Sequence, residues 1–321
     1  MTPSGSSSTP VRVAVLKGGR SLERQISLKS GARVQDALEH LGYDVVAIDV
    51  GHDLVERLRE TAPDVAFVAL HGRDGEDGTV QELLEAVGVP YTGSGVSACI
   101  RCADKVLAKH HMRDAGIPTP DFFAFNETAF KELGAADALP AIEQRLGFPI
   151  VVKPSNQGSA LGIKLALEAK DVPGALVAAF SYGDKVLLER YVEGRDLAVS
   201  VLDVAGGGEP QVLPVVEAIP REDDRYEARY EIGRTDFVCP ADLPGDVTER
   251  AQRLALDVWE VLGCRGFARI DLMLDPQDGE LHVLEANAIP GLTDTSLLPQ
   301  AADEAGIDFD ALIGRIVELA L

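Results

Sequence analysis

The chain has 321 residues, a hydrophobic content of 46% and a formal net charge of −22. This length and apolar content are sufficient for two or three domains with cores of their own. The negative charge argues against nucleic acid and anionic membranes as partners, because both are bound through clustered Lys and Arg. The sequence has no apolar run of about 18 residues, so it predicts no membrane-spanning helix.

Residues 1–10, MTPSGSSSTP, lack the basic start and apolar centre of a secretory signal. We interpret them as a short disordered tail on a cytoplasmic protein. The cysteines are too few and too scattered for a disulfide framework, although Cys99 and Cys102 have CxxC spacing. No second close pair completes a zinc site, so ordinary structural thiols are favoured.

Residues 11–95 are predicted to form a parallel α/β domain. Strand patterns occur at 11–16, 45–49 and 65–70, and a helical pattern covers 28–41. Right-handed βαβ units bring the strand ends and their loops to one edge of such a sheet. The glycines of YTGSG at the end of this region indicate a domain break.

Residues 96–192 are predicted to form a second, α+β unit. A helix runs through Lys105 and Lys109, and the strand at 148–154 leads into a loop rich in Gly and Ser, SNQGSALG. Another strand pattern covers 185–192.

Residues 193–321 form the predicted third unit, which contains both strands and helices. The strand patterns are at 197–204, 268–274 and 281–285, and the helical patterns are at 247–262 and 309–321.

Two acids and an amide in neighbouring predicted strands suggest a metal site. Glu285 and Asn287 lie two residues apart, so they share one side of a strand, and Asp271 lies in the adjacent strand. Their oxygens are ligands of the kind that Mg²⁺ prefers. A solvated edge strand is the alternative, but ARIDLML and LHVLEANAI surround these groups with apolar residues, where unpaired charge is costly.

Two lysines of the second unit, Lys105 and Lys153, are placed where they could bind phosphate. Magnesium held by few protein groups usually shares its shell with phosphates, and Lys153 ends an apolar strand while Lys105 begins an apolar helix. The loop after Lys153 could fold backbone N–H groups over a phosphate chain, although a Walker A motif is absent and a plain surface turn stays open. A nicotinamide enzyme is disfavoured, because Gly18 and Gly19 do not meet the GxGxxG spacing and Asp49 alone could serve as its acid.

Several short motifs occur together in a specific order. They are GGRSLE at 18–23, ISL at 26–28, LHGRDGEDGT at 70–79, YTGSG at 91–95, DK at 104–105, VKP at 152–154, YEARY at 226–230, ARID at 268–271 and EANAIPGLT at 285–293. In this order they resemble the D-alanine–D-alanine ligases of the ATP-grasp superfamily, over nearly the whole chain after residue 10.

The resemblance implies an α/β (α+β) protein with the ATP-grasp fold, in which the units 96–192 and 193–321 clamp ATP behind the N-terminal domain 11–95. It implies a ligase that makes D-alanyl-D-alanine for peptidoglycan. The carboxylate of one D-alanine attacks the γ-phosphate of ATP, and the amine of a second D-alanine then attacks the acyl phosphate. Both steps gather negative charge, which explains why an acidic protein keeps these cations.

The nucleotide site follows from the same resemblance. It implies that Lys105 and Lys153 bind the ATP phosphates, and that Glu189 holds the adenine together with the backbone of Arg190 and Val192. Three further residues, Asp271, Glu285 and Asn287, would hold two Mg²⁺ or Mn²⁺ ions.

Two positions depart from the family pattern within this nucleotide site. Asp196 stands where the family usually has Glu for the ribose hydroxyls. Arg229 replaces the usual Lys of a lid that contacts phosphate, so the charge remains but a planar fork replaces a compact ammonium.

The resemblance also assigns the amino-acid sites. Glu23 would take the ammonium group of the first D-alanine, His71 would lie near its carboxylate, and Ser159 and Tyr230 would connect to Glu23 while latching the lid, which excludes water. The acceptor side comprises four residues, namely Arg269 and the N–H of Gly291 for the oxyanion, and Ser296 and Leu297 for the second carboxylate. One departure is Arg24 where the family usually has His.

Family members are commonly dimers, so a homodimer is expected. Tyr230 favours dipeptide over depsipeptide formation. Two alternatives stay open at this point, namely a related ligase that makes another peptide from D-alanine or D-serine, and a catalytically inactive relative that binds nucleotide.

Overall fold

The computed structural model describes residues 10–220 and 235–321, which form mixed helices and sheets. Within these residues the strands make three sheets, one parallel and two antiparallel. In the part of the chain described, no helix has the length and apolar character needed to cross a membrane.

The first sheet is parallel, with the strand order β2-β1-β3. The strands are β1 (Arg12–Lys17), β2 (Asp44–Asp49) and β3 (Val65–Val68), and the helices between and after them are α1 (Arg24–His40), α2 (Leu54–Thr61) and α3 (Thr79–Val87). The central strand β1 is buried along VAVL because helices cover both faces of a parallel sheet. The predicted βαβ pattern is present, and helix α1 begins four residues before its predicted start.

Two helices follow the first sheet, α4 (Val96–Ala103) and α5 (Lys105–Asp114). Their buried side chains, such as Cys99 and Met112, share a core with Val199 and Ile270 of the C-terminal region. By packing, these helices therefore adjoin the C-terminal sheet, while the division of the chain at residue 96 stays a prediction.

The central sheet is antiparallel, with the order β4-β7-β5-β6. It comprises β4 (Phe122–Asn126), β5 (Ile150–Pro154), β6 (Lys164–Ala166) and β7 (Lys185–Arg190). Helices α6 (Glu127–Glu132), α7 (Leu139–Leu146) and α8 (Val172–Phe180) and two short 3₁₀ turns, Ala135–Ala138 and Ala169–Asp171, complete this region. Buried residues of α7 and α8 pack with those of β5 and β7, which leaves the opposite face of the sheet for the cleft.

The C-terminal sheet has the order β11-β10-β8-β12-β13, and β9 pairs with β8. Its strands are β8 (Arg195–Leu202), β9 (Gln211–Val212), β10 (Val216–Pro220), β11 (Thr235–Val238), β12 (Phe267–Leu274) and β13 (Leu281–Asn287). Helix α9 (Gly245–Leu262) packs on one face, while α10 (Leu297–Glu304) and α11 (Phe309–Glu318) pack with α1 in a core shared with the first sheet. The three sheets therefore surround a common cleft.

A β-bulge in β13 decides which side chains face that cleft. Asp271 pairs with Glu285, but Leu272 pairs with Val283, so Leu284 has no partner on β12. Leu281 and Val283 consequently point into the core beneath α9, whereas Glu285 and Asn287 point into the cleft. Bulges commonly redirect a side chain in this way beside functional sites.

Candidate active site

Three adjoining cavities form the cleft, with volumes of about 480, 260 and 270 Å³. Lys105 and Glu285 line both the first and the third cavity, and Lys153 and Asp196 line both the second and the third. The cavities are therefore parts of one continuous site.

The predicted metal ligands come together on β12 and β13. Asp271 and Glu285 are directly paired across the two strands, and Asn287 is paired with Arg269. Arg269 donates from Nε and Nη2 to the two carboxylate oxygens of Asp271, at 2.7 and 2.9 Å, and Asn287 donates from Nδ2 to Asp271 at 3.2 Å. The donor set is thus two carboxylates and one amide on a single face of the sheet.

The Glu285 carboxylate is held in the ionised form that a cation requires. Burial favours the neutral form of Glu285, but Lys105, Lys153 and Arg269 outweigh it and lower the pKa of Glu285 to about 2. Among the described residues, no three His, Cys, Asp or Glu side chains are grouped as metal ligands. A divalent cation held here would complete its shell with phosphate oxygens and water, and this donor set fits Mg²⁺ or Mn²⁺ on those terms.

Lys105 stands at the junction of the three regions. Its Nζ donates to the backbone oxygen of Gln157 in the Gly-rich loop at 2.8 Å and lies 3.1 Å from Oε2 of Glu285. The preceding Asp104 caps helix α5 by accepting from the N–H groups of Val106 and Leu107. The cap fixes the first turn of α5 and therefore the direction of the Lys105 side chain.

Lys153 shares a buried carboxylate with a second lysine. Its Nζ lies 2.8 Å from Oε1 of Glu189, and Nζ of Lys109 lies 2.5 Å from Oε2. Burial works against ionisation of Glu189, but Lys109 and Lys153 lower its pKa. Burial lowers the pKa of Lys109 to about 8 against the opposing effect of Glu189. Glu189 is thus an ionised acceptor at the inner end of the second cavity.

The second cavity has the form of a slot for a flat apolar group. Val151, Met273 and Leu284 supply apolar walls, and the chain at Arg190 and Val192 runs along its edge. The paired strands β5 and β7, which carry Lys153 and Glu189, close the inner end, and Asp196 lines both this cavity and the third one.

Glu23 lies at the start of α1 in a crowded pocket. Ser159 donates a hydrogen bond from Oγ to Oε1 of Glu23. Gly72 has a φ of +71°, which favours glycine, and a Cβ there would lie 2.3 Å from Oε2 of Glu23 and displace that carboxylate. Burial, followed by repulsion from Glu76, raises the pKa of Glu23. A cationic group that enters this pocket would relieve that repulsion.

His71 lines the same pocket and is 4% exposed. Its Nε2 lies 2.9 Å from Oγ of Ser30, and its Nδ1 lies 3.4 Å from Oε1 of Glu76. The ring is therefore fixed by protein groups at both nitrogens and forms a wall of the pocket.

Three of the four predicted acceptor residues line the third cavity together with Glu23, and Ser296 lies behind Gly291. Arg269, Gly291 and Leu297 line this cavity together with the paired acids. Ser296 Oγ accepts from the N–H of Thr293 at 2.9 Å, and a Cβ on Gly291 would approach Ser296 Oγ to 2.7 Å. The turn after β13 therefore brings the Ser296 hydroxyl against the Gly291 backbone.

Comparisons with known proteins agree with this geometry. The family described as "D-ala D-ala ligase C-terminus" matches residues 111–318, and "D-ala D-ala ligase N-terminus" matches residues 53–94. The D-alanine–D-alanine ligase of Desulforudis audaxviator is 44% identical over 96% of this chain and 98% of its own length. The ligase of Moorella thermoacetica is 43% identical over 97% and 99%. The chain belongs to the D-alanine–D-alanine ligase family.

Solved structures support the same membership. The crystal structure of D-alanine–D-alanine ligase from Bacillus anthracis complexed with ATP has a TM-score of 0.80 and 33% identity, with 97% of both chains covered. A second structure of that ligase has a TM-score of 0.82. The family and the ATP-grasp fold predicted from the sequence are thereby confirmed.

Two of the predicted residues, Arg229 and Tyr230, lie outside the described residues. Sequence reasoning missed other residues in or beside the cleft, although some of them could have been found from the sequence. Met273 follows Asp271 by two residues, so strand periodicity alone could have placed it in the cleft. Glu76 lies within the HGRDGEDG motif. The contact of Lys109 with Glu189 could not be predicted from the sequence, because the two residues are 80 positions apart.

Proposed function

We propose that the chain uses ATP to join two D-alanines into D-alanyl-D-alanine, a precursor for peptidoglycan, through a D-alanyl phosphate. The observation that carries the proposal is the third cavity, about 270 Å³ in volume, which is lined by residues of all three predicted centres. Glu23 marks the first amino-acid pocket, Lys105 and Lys153 mark the phosphate site, and Arg269 and Gly291 mark the acceptor side.

ATP binds with its adenine in the slot between Val151 and Met273, where Glu189 accepts from the exocyclic amine and the backbone near Val192 provides the remaining contacts. Asp196 takes the ribose hydroxyls. Lys105 and Lys153 then exchange their carboxylate partners for phosphate oxygens, which need a cationic environment as the terminal phosphate is transferred.

Two Mg²⁺ or Mn²⁺ ions would be held by Asp271, Glu285 and Asn287. Bound there, such ions would supply positive charge to offset the negative charge of the transferred group. The amide of Asn287 would present its oxygen, which requires only a rotation about its terminal bond, because the O and N positions of an amide are close to interchangeable.

The first D-alanine places its ammonium group against Glu23, with Ser159 fixing the orientation of that carboxylate. The His71 ring bounds the pocket near the substrate carboxylate. That carboxylate attacks the γ-phosphorus of ATP, the bond to the β,γ-bridging oxygen breaks, and ADP leaves. The product is the D-alanyl phosphate.

The second D-alanine binds with its carboxylate at Ser296 and Leu297. Its neutral amine attacks the acyl phosphate carbon, and the developing oxyanion is stabilised by Arg269 and the N–H of Gly291. Collapse of this tetrahedral intermediate expels phosphate, and the amine loses a proton to form the peptide bond. Arg229 and Tyr230 would belong to a lid that keeps water from the acyl phosphate.

We further propose that the enzyme is a homodimer in the cytoplasm, where ATP is supplied. It requires neither nucleic acid nor a membrane as a partner. Sedimentation of the purified chain would reveal the oligomeric state.

The activity is tested by phosphate release from ATP and Mg²⁺ in the presence of D-alanine. D-alanine should stimulate release and yield one dipeptide for each phosphate, whereas L-alanine should not. Phosphate release that is independent of any D-amino acid would reject the ligase. D-serine supplied as the second substrate separates this activity from that of a ligase with another product.

A further inference from the structure

We propose that Ser30 is a positioning residue of this site, which joins the wall of the first amino-acid pocket to the turn that carries the acceptor groups. The proposal rests on the proposed function, since it concerns how the two substrate pockets are held relative to each other.

Ser30 lies on α1 and is fully buried. Its Oγ is 2.9 Å from Nε2 of His71 and 3.2 Å from the backbone nitrogen of Leu292. His71 follows the first sheet, and Leu292 follows the last strand of the C-terminal sheet, 262 residues away in the chain. One hydroxyl group therefore connects two of the three regions that build the cleft.

The three groups around Ser30 and His71 form one connected set of polar contacts. The N–H of Leu292 can only donate, so it uses one lone pair of the Ser30 oxygen. On the far side of the His71 ring, a carboxylate oxygen of Glu76, which accepts and does not donate, faces Nδ1 at 3.4 Å and favours a ring proton on Nδ1. With the proton on Nδ1, Nε2 accepts the hydroxyl proton of Ser30. Ser30 and Glu76 together thereby favour the Nδ1–H tautomer of His71.

A second side chain of α1 holds the other polar group of Leu292. Arg33 donates from Nη1 to the carbonyl oxygen of Leu292 at 2.6 Å, and its Nε lies 2.9 Å from Asp294. The next N–H, that of Thr293, donates to Ser296 Oγ. Helix α1 thus holds both backbone polar groups of the residue that follows Gly291.

Glu23 immediately precedes the same helix, whose first residue is Arg24. Helix α1 is consequently in contact with three parts of the site, namely the group proposed to receive the first ammonium, the wall at His71 and the turn that follows Gly291. Misplacement by about 1 Å can cost a reaction of this kind about 10²-fold. The Ser30 hydroxyl contacts both the His71 ring and the Leu292 backbone, and so it links the two pockets directly.

The kinetic test compares Ser30→Ala with Ser27→Ala. Ser27 is equally buried one turn earlier on α1, but its hydroxyl bonds to Ala69 O and Gly18 N instead of His71 and Leu292. Ser30→Ala should lower kcat/KM for D-alanine about tenfold, the loss expected for one buried hydrogen bond in a site, and leave KM for ATP unchanged. Ser27→Ala should lower thermal stability to a similar extent without that selective loss.

Two measurements separate positioning from a general structural role. The effects of Ser30→Ala and His71→Gln on kcat/KM should fail to multiply, because both break the same link. The ¹⁵N shifts of the His71 ring should report the Nδ1–H tautomer in the wild type and change in Ser30→Ala but not in Ser27→Ala. Ser30→Thr, which keeps the hydroxyl, should retain the wild-type tautomer and provides a second variant if Ser30→Ala does not fold.

The outcomes distinguish this inference from the proposed function. An inactive wild type would reject the ligase, and the ring shifts would still decide whether Ser30 orients His71. An active wild type in which Ser30→Ala resembles Ser27→Ala, or in which the His71 shifts do not respond to Ser30→Ala, would overturn the positioning role.

Discussion

The nucleotide side and the amino-acid side of the cleft are built from different interactions. On the nucleotide side, both lysines already have carboxylate partners, in the pairs of Lys105 with Glu285 and Lys153 with Glu189. On the amino-acid side, the uncharged hydroxyl groups of Ser30 and Ser296 accept hydrogen bonds from the backbone N–H groups of Leu292 and Thr293.

This difference shows how each side meets its ligand. Buried charges without partners are costly, so we expect the protein to keep its cations paired until phosphates replace the carboxylates. We expect the amino-acid side to require fixed distances between two small substrates, which hydrogen bonds of uncharged hydroxyl groups supply without adding net charge. Exchange of ion pairs on the nucleotide side and rigid positioning on the amino-acid side therefore lead to separate predictions.

The largest expected effect comes from Arg269, which joins the two sides. Arg269→Ala should lower kcat by about 10²-fold or more, the scale associated with loss of one oxyanion donor. Steady-state turnover at saturating ATP and D-alanine measures it, with folding checked by circular dichroism. Arg250→Ala removes an exposed arginine that bonds to Gly279 O and serves as the control. Near-normal turnover of Arg269→Ala would reject its role.

The substitution Glu23→Gln should lower activity without lowering stability at neutral pH. Burial and Glu76 raise the pKa of Glu23 above its ordinary value of 4.5, so the folded protein binds more protons than the unfolded chain in that range. Stability therefore falls as pH rises through this window, and the ionised Glu23 opposes folding at neutral pH. Glu23→Gln should be at least as stable as the wild type at pH 7.5, with the gain lost below about pH 4.5.

The same substitution should raise KM for the first D-alanine by about 10- to 100-fold, because a charge-assisted hydrogen bond is lost. Thermal melts across pH and initial rates measure the two effects. Glu39→Gln, an exposed change on the same helix, should alter neither. A variant that keeps its affinity for D-alanine would contradict the role of Glu23.

Lys109 tests the ion-pair exchange. When Lys153 turns to phosphate, Lys109 remains as the counter-ion of Glu189, so Lys109→Met should raise KM for ATP about tenfold with little change in kcat at saturation. Without Lys109 the pKa of Glu189 should rise, and KM for ATP should therefore increase as pH falls. Lys131→Met removes an exposed lysine paired with Glu127 and should change neither value. An unchanged KM in Lys109→Met would show that Lys153 alone suffices.

Much of this site could be predicted from short motifs, and the rest depends on long-range packing. The sequence singles out Lys153, Asp271 and Glu285, because an unpaired charge within an apolar strand is costly. Strict alternation along β13, however, would place Glu285 on the same face as the core residue Val283. The bulge at Leu284 corrects this, and it exists only through the pairing of β13 with β12. A single strand pattern carries no information about it.

The fold shows the same limit. The parallel sheet could be predicted because its strands are continuous apolar runs, but strands β4, β6 and β9–β11 were missed because they are short or carry mixed residues. Ser30 and Lys109 lie in ordinary helical patterns, and their partners come from distant parts of the chain.

The smallest predicted effect concerns the cap that aims Lys105. Asp104 accepts from Val106 N and Leu107 N and pairs with Lys185 at 3.0 Å. Asp104→Ala should destabilise the protein by about 1 kcal/mol, a melting shift of about 2–4 °C, and should raise KM for ATP about threefold because Lys105 loses its fixed direction.

Asp308→Ala is the matched control for Asp104→Ala, since Asp308 caps α11 by accepting from Ala311 N at 2.8 Å. It should shift the melting temperature by a similar amount and leave KM for ATP unchanged. If both variants raise KM equally, the nucleotide side responds to global stability and its lysines are not individually aimed. If only Asp104→Ala raises KM for ATP, the nucleotide side responds to its own contacts and not to global stability. The loss of the cap next to Lys105 then affects ATP binding, whereas the loss of an equivalent cap elsewhere does not.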